Sequence, residues 1–201
     1  MRKAVYLLLI LLMLPCQSLP ALEAKAGIID GNAPVPFKIP NELTPLLKGY
    51  RKNWRRMTNP EQSGLHWNQG IIVYMNKNHN VYTNNHEKYS KSLSEESDSS
   101  QAKNTFLTYP VGTILLKENY FVEDGVITAP ASIAMMIKRE KNYDNSTGDW
   151  QFVQFDPTGH IMVNGNSKNT TVATACTQCH QSIAVRDYVF STHFANSTGR
   201  K

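Results

Sequence analysis

Near its C-terminus the chain carries Cys176-Thr177-Gln178-Cys179-His180, and that spacing limits what can be built around it. Three chemistries use two thiols three positions apart with an imidazole alongside. A zinc site takes four ligands, or three and a water, and no second ligand pair accompanies this one. A thioredoxin-type redox pair opens a helix inside a βαβ frame, whereas only a short tail follows Cys179. Covalent haem attachment is the third, and Cys-x-x-Cys-His is its signature. The two thiols add to the two vinyl groups on one porphyrin edge, and the next residue is set beneath the ring as an iron ligand. The sequence therefore predicts one covalent haem c, held by Cys176 and Cys179, with His180 as the proximal iron ligand.

The start of the chain agrees with that chemistry. "MRKAVYLLLILLMLP" pairs a basic beginning (Arg2, Lys3) with an apolar run from Ala4 to Leu14, as a secretory signal peptide does. The run falls short of the about 20 apolar residues a spanning helix needs. Ala21, Ala24 and Ala26 offer cleavage points, of which Ala24-Lys25-Ala26 fits the small-x-small pattern; cleavage there removes residues 1–26, and the mature protein is expected to be periplasmic. Haem c is attached outside the cytoplasm, which fits. The third cysteine, Cys16, leaves with this leader. A lipid anchor at Cys16 is disfavoured by Pro15, where a small residue should stand. The formal net charge of +5 shrinks further, because the leader takes Arg2, Lys3 and Lys25 against Glu23. No Lys/Arg-rich block carries interleaved aromatics, so nucleic acid is not an expected partner.

What remains suits one domain. Residues 27–44, rich in proline, read as an extended lead-in, and residues 45–195 as a single haem c domain with a 196–201 tail. Leu46, Leu47, Tyr50 and Trp54 fall at helical spacing and predict a first helix over "NELTPLLKGYRKNWRRM". "GIIVYMN" (70–76), "TILLKENYF" (113–121), "VITAP" (126–130), "ASIAMMIKR" (131–139) and "WQFVQFD" (150–156) read as strands. Residues 90–104 hold almost nothing but Ser, Glu, Asp, Lys, Gln and Asn, and predict a mobile polar loop. The fold class expected is α+β, a predominantly antiparallel β-sheet with flanking helices and a C-terminal haem-binding helical segment.

Two questions stay open at this level. One is the sixth iron position, for which Met135, Met136, Met162, His160 and His193 are candidates and none is marked out. The other is the adjacent pair Lys117-Glu118. Strand alternation sets Lys117 with Thr113 and Leu115, and Glu118 with Ile114 and Leu116, so one of the two charges is expected to point inward. An inward charge requires a partner.

Taken in order, "YRKNW" (50–54), "IVYMN" (72–76), "YPVGTILLKE" (109–118), "IKREKNYDNSTGDWQF" (137–152), "CTQCH" and "DYVF" (187–190) resemble the cytochrome P-460 and cytochrome c′-beta family over most of the mature chain. The resemblance implies a predominantly antiparallel β fold, commonly a homodimer, with one haem c per chain. In the hydroxylamine-oxidising members a lysine of the V-K-E block is joined covalently to a meso carbon of the porphyrin, and the matching residue here is Lys117. It also implies an open distal side for NH2OH or NO, and electrons leaving to a small periplasmic acceptor. Those members carry a distal carboxylate, suited to proton removal, on the strand matching "ASIAMMIKR". This chain has no Asp or Glu there before Glu140, and Ala134 takes the place, flanked by Met135 and Met136 as further distal-pocket candidates. Asp187 is a candidate outer-shell acceptor for the His180 imidazole. Three functions follow: hydroxylamine or NO oxidoreduction at a cross-linked haem, capture of NO or CO at an apolar five-coordinate site, and six-coordinate electron transfer.

Overall fold

The computed structural model describes residues 23–24, 36–64, 68–94 and 106–192. Most of the expected leader, half of the lead-in, the heart of the polar loop, the tail and His193 lie outside them. Eight strands, β1 (Glu23–Ala24), β2 (Arg55–Arg56), β3 (Glu61–Ser63), β4 (Gln69–Met75), β5 (Ile114–Glu123), β6 (Val126–Lys138), β7 (Trp150–Phe155) and β8 (Ile161–Gly165), form one sheet. Its order is β2-β4-β5-β6-β7-β8, with β3 also on β4 and β1 on β6; among the described residues only the β1–β6 pairing is parallel. The α+β class read from the sequence is the observed one. Glu23 and Ala24, inside the segment expected to be removed, pair with Val126 and Ile127.

The two longest strands form a hairpin. Asp124 and Gly125 turn the chain with φ of 51° and 78°, the left-handed pair a tight two-residue turn demands. The sequence suggested two strands over 126–139, divided after Pro130, but they are one. Pro130 faces Tyr120, where the pairing register shifts on β5, and such an irregularity is where a strand tolerates a missing N–H. Strand β8 was not anticipated: only Val163 in it is buried, so its alternation is short.

The first helix is broken into pieces. A 3-10 turn (Asn41–Leu43), α1 (Thr44–Leu47) and α2 (Tyr50–Asn53) follow one another, and Gly49 at φ 69° separates the last two. Helix α3 (His79–Ser94) is the larger surprise. It absorbs residues 90–94 of the expected loop, and residues 95–104 lie outside the description. Its buried stripe is narrow, Val81, Tyr82 and Asn85, and the anchor is polar. The Asn85 amide donates to Leu107 O at 2.9 Å and accepts from Leu107 N at 2.8 Å. An apolar-periodicity reading cannot register such an anchor.

The sheet separates two cores. On one face Ile72, Tyr74, Leu116, Met135 and Phe155 pack with Leu47 and Tyr50 from the N-terminal helices. On the other Met75, Leu115, Met136 and Phe152 pack with Tyr82 of α3 and with Val172 and Val189 of the C-terminal segment. Lys117 and Glu118 are divided between the faces. Glu118 is fully buried among the N-terminal helices. Its carboxylate accepts from Arg51 Nε at 2.7 Å, Arg51 Nη2 at 3.1 Å, Tyr120 OH at 2.6 Å and the Tyr50 hydroxyl.

Removing one partner of a buried ion pair leaves the other charge uncompensated. Arg51→Met is accordingly expected to lower the unfolding free energy by about 3–5 kcal/mol, read by urea denaturation; a loss below about 1 kcal/mol would refute the pairing as a structural anchor. Acid stability rests on a second carboxylate. Asp144 accepts from Ser146 N, Ser146 Oγ and Ser167 N, and these bonds outweigh its burial and hold it at about 2. A depressed carboxylate stabilises the fold fully above its unfolded value near 4 and ceases to do so as pH falls through about 2. Asp144→Asn should therefore remove part of the stability loss seen between those limits in an acid titration followed by circular dichroism.

Candidate functional site

The Cys-x-x-Cys-His stretch begins behind a helix cap. Asn169 accepts from Thr171 N and Val172 N, satisfying two donors that a helix start leaves free. Helix α4 (Thr170–Val172) then runs into a π-turn (Ala173–Thr177), α5 (Gln178–His180) and a 3-10 turn (Gln181–Arg186). A π-turn widens the helix locally and is often met at functional sites; this one contains Cys176. Val172, Thr177 and Ile183 are buried, and Val172 fastens the segment to the second core. Cys176 is half-buried against that core and Cys179 is exposed, both as free thiols.

His180 lies over the same sheet face. Its ring meets the edges of Phe152, at 5.4 Å between centroids, and of Phe190, at 5.2 Å. Its Nδ1 is 2.6 Å from Tyr188 O. A carbonyl only accepts, so in the neutral ring Nδ1–H donates and Nε2 keeps its lone pair, the form that ligates a metal. Burial lowers the imidazole's pKa to about 4, against the Tyr188 bond and together with the nearby Lys117 charge. Near neutral pH the ring is uncharged.

Lys117 completes the group. It lies on β5 opposite Val73 of β4 and Ala134 of β6, on the face shared with Leu115, Met136 and Phe152. Lys117 belongs to neither of the buried ion pairs Arg51–Glu118 and Lys138–Asp187. Its side chain is half-buried. Burial brings its pKa down to about 7, with the neighbouring Cys176 thiol acting in the opposite sense, while burial raises that thiol to about 11. Lys117, Cys176 and His180 are thus neighbours, although 59 positions or more of sequence separate the lysine from the other two. A fraction of the amine is neutral, and so nucleophilic, at ordinary pH.

The expected distal strand divides by alternation. Ala134 is directly opposite Lys117 and is half-buried. Met136 shares its face but packs between Leu115 and Phe152 of the core. Met135 points to the other face, in the first core, and leaves the set of distal candidates. Among the sixth-ligand candidates, Met162 and His160 are exposed on and before the edge strand β8. Beside Ala134 there is a polar group the sequence did not single out. Ser132 Oγ accepts from Asn119 Nδ2 at 3.0 Å and from Gln154 Nε2 at 3.1 Å. Asn119 Oδ1 has no hydrogen-bond partner among the described residues. Period-two counting from Lys117 would have found Asn119.

Asp187 does not accept from the imidazole as expected. Its carboxylate takes Lys138 Nζ at 2.7 Å on each oxygen and Tyr109 N at 2.7 Å, and Tyr188 O occupies Nδ1 instead. Lys138 claims the carboxylate, and the backbone turns it that way. Asp187 and Tyr188 both have left-handed φ, 52° and 64°, which turns the carboxylate inward and the next carbonyl toward His180. Each such residue costs about 1–2 kcal/mol without compensation.

The donor set suits a covalently attached haem: two free thiols, one imidazole with Nε2 available, and an amine of lowered basicity alongside. Among the described residues no three His, Cys, Asp or Glu side chains gather into a metal-holding group. Two surface clefts, of about 510 and 290 Å³, are lined by residues around Arg139; neither touches Lys117, Cys176 or His180.

The sequence model of cytochrome P460 matches residues 47–191. A search of curated proteins finds no match to the chain. The described helix cap supplies a test of how the segment is held: Asn169→Ala should cost about 1 kcal/mol of stability. It should speed amide exchange at Thr171 and Val172 well before exchange in β5, read by hydrogen–deuterium exchange.

Proposed function

The chain belongs to the cytochrome P460 family, whose members are haem cytochromes, and on that premise we propose that it is an exported mono-haem c protein acting on hydroxylamine or nitric oxide. Cys176 and Cys179 would hold the group as thioethers, and His180 would bind its iron through Nε2. When bound, such a group supplies a redox-active iron with a position for a small nitrogen ligand. The remaining chemistry belongs to the chain's own residues. The Tyr188 carbonyl fixes the His180 tautomer, Phe152 and Phe190 fix the ring plane, and Lys117 offers an amine that is partly neutral at pH 7. The observation that carries this reading is Lys117, beside Cys176 and His180 and with no ion-pair partner among the described residues, at the position that matches the family's cross-linking lysine. Electrons would leave to a small periplasmic acceptor, and the protein would act as a homodimer.

A second reading has its own observation. Opposite Lys117 stands the methyl group of Ala134, with amide and hydroxyl groups at Asn119, Ser132 and Gln154. Hydroxylamine oxidation releases protons, and none of these groups is a base near neutral pH. The site favours an uncharged diatomic ligand, NO or CO, and capture without efficient turnover.

Mass spectrometry of a proteolytic haem peptide separates the readings. The peptide containing Lys117 is expected to remain attached to haem, with a red-shifted ferrous Soret band; haem held by Cys176 and Cys179 alone would overturn the cross-linked enzyme and leave the NO-binding protein. A gain of function tests the distal side. Ala134→Glu is expected to raise hydroxylamine turnover by about a hundredfold or more, the usual contribution of a positioned general base, in a steady-state assay with an artificial electron acceptor. An unchanged rate in a correctly folded variant would show that the missing carboxylate does not limit the reaction.

A further inference from the structure

The acceptor on His180 is a main-chain oxygen, so what orients it must act on the main chain. Asp187 and Tyr188 are consecutive non-glycine residues in the left-handed region, a conformation that persists only where the surroundings over-determine it. Four elements supply that restraint. From β6, Lys138 Nζ donates to both Asp187 carboxylate oxygens at 2.7 Å. The segment before β5 sends Tyr109 N to Asp187 Oδ2 at 2.7 Å. Trp150 of β7 donates from Nε1 to the Asp187 carbonyl at 2.9 Å, and Lys138 lies over its ring at 4.9 Å. The turn before β7 contributes Gly148, where a Cβ would come within 2.6 Å of Tyr188 Cε2 and 2.9 Å of Asp187 Oδ1. Two donors on the carboxylate and one on the carbonyl thus fix one residue, and the next carbonyl is delivered to Nδ1 at 2.6 Å.

We propose that Lys138 and Asp187 are positioning residues for the proximal ligand: their buried ion pair locks the Asp187–Tyr188 turn and so sets the strength of the hydrogen bond from His180 to Tyr188 O. Neither residue touches the imidazole. A firm acceptor on Nδ1–H raises the basicity of Nε2, strengthens its bond to iron and stabilises the ferric state. The pair therefore tunes the redox potential from a distance, through the backbone. This rests on His180 being the iron ligand.

The experiment is resonance Raman spectroscopy of the ferrous holoprotein, with redox potentiometry, on the unmodified protein and on Asp187→Asn and Lys138→Gln. The unmodified protein should show an iron–histidine stretching band; its absence would refute the ligand assignment itself. With the band present, each variant should shift it to lower frequency and raise the midpoint potential while keeping the haem covalently attached. A band and potential unmoved in either folded variant would overturn the clamp. Should neither variant fold, exchange of the Trp150 Nε1 and His180 Nδ1 protons in the diamagnetic ferrous CO form decides. The clamp requires both protons to be released by one opening event at matching rates, and rates differing tenfold or more would overturn it.

Discussion

A carboxylate with no exposure to water must be satisfied by its neighbours, and the bonds made to Glu118 organise the molecule. Arg51 and Tyr50 come from the N-terminal helices and Tyr120 from the same strand. With these bonds formed, the helices are fastened to one face of the sheet and β5 is fixed in rotation. The opposite face then has to present residues 115, 117 and 119. Lys117 is consequently held where the C-terminal segment lands, although no described ion pair holds its own amine. The polar anchor on one side is what aims the reactive amine on the other.

The C-terminal segment is positioned by a different kind of force. Its buried side chains Val172 and Val189 tie it to the second core, and the cap at Asn169 starts it. Packing alone would leave the imidazole free to rotate. Phe152, Phe190 and the Tyr188 carbonyl remove that freedom, so the ring is set before any ligand is bound, and the ordering entropy is met during folding.

Much of this was legible in the sequence and some of it could not be. The strands with β-branched runs and the Cys176–His180 motif carry local signatures, and the antiparallel α+β class follows from them. The inward charge at residues 117 and 118 was legible only as an alternative, because alternation does not say which face is buried; here both faces are covered. Helix α3 escaped because its anchor is an amide, and β8 because one buried residue makes no pattern. The role expected of Asp187 failed for a tertiary reason. Lys138 lies 49 positions away, and no local rule announces that the two meet.

The division of Lys117 and Glu118 between the faces also guards the fold against error. A one-residue slip of β5 would exchange every side chain across the sheet. The ammonium would then enter the chamber beside the Arg51 guanidinium, cation against cation, and the carboxylate would be carried to the imidazole side without its arginine. Such a misthreaded chain loses its ion pair and gains a repulsion in the same movement. Two neighbouring residues of opposite sign thus act as a key that admits one threading of the longest hairpin and rejects the next.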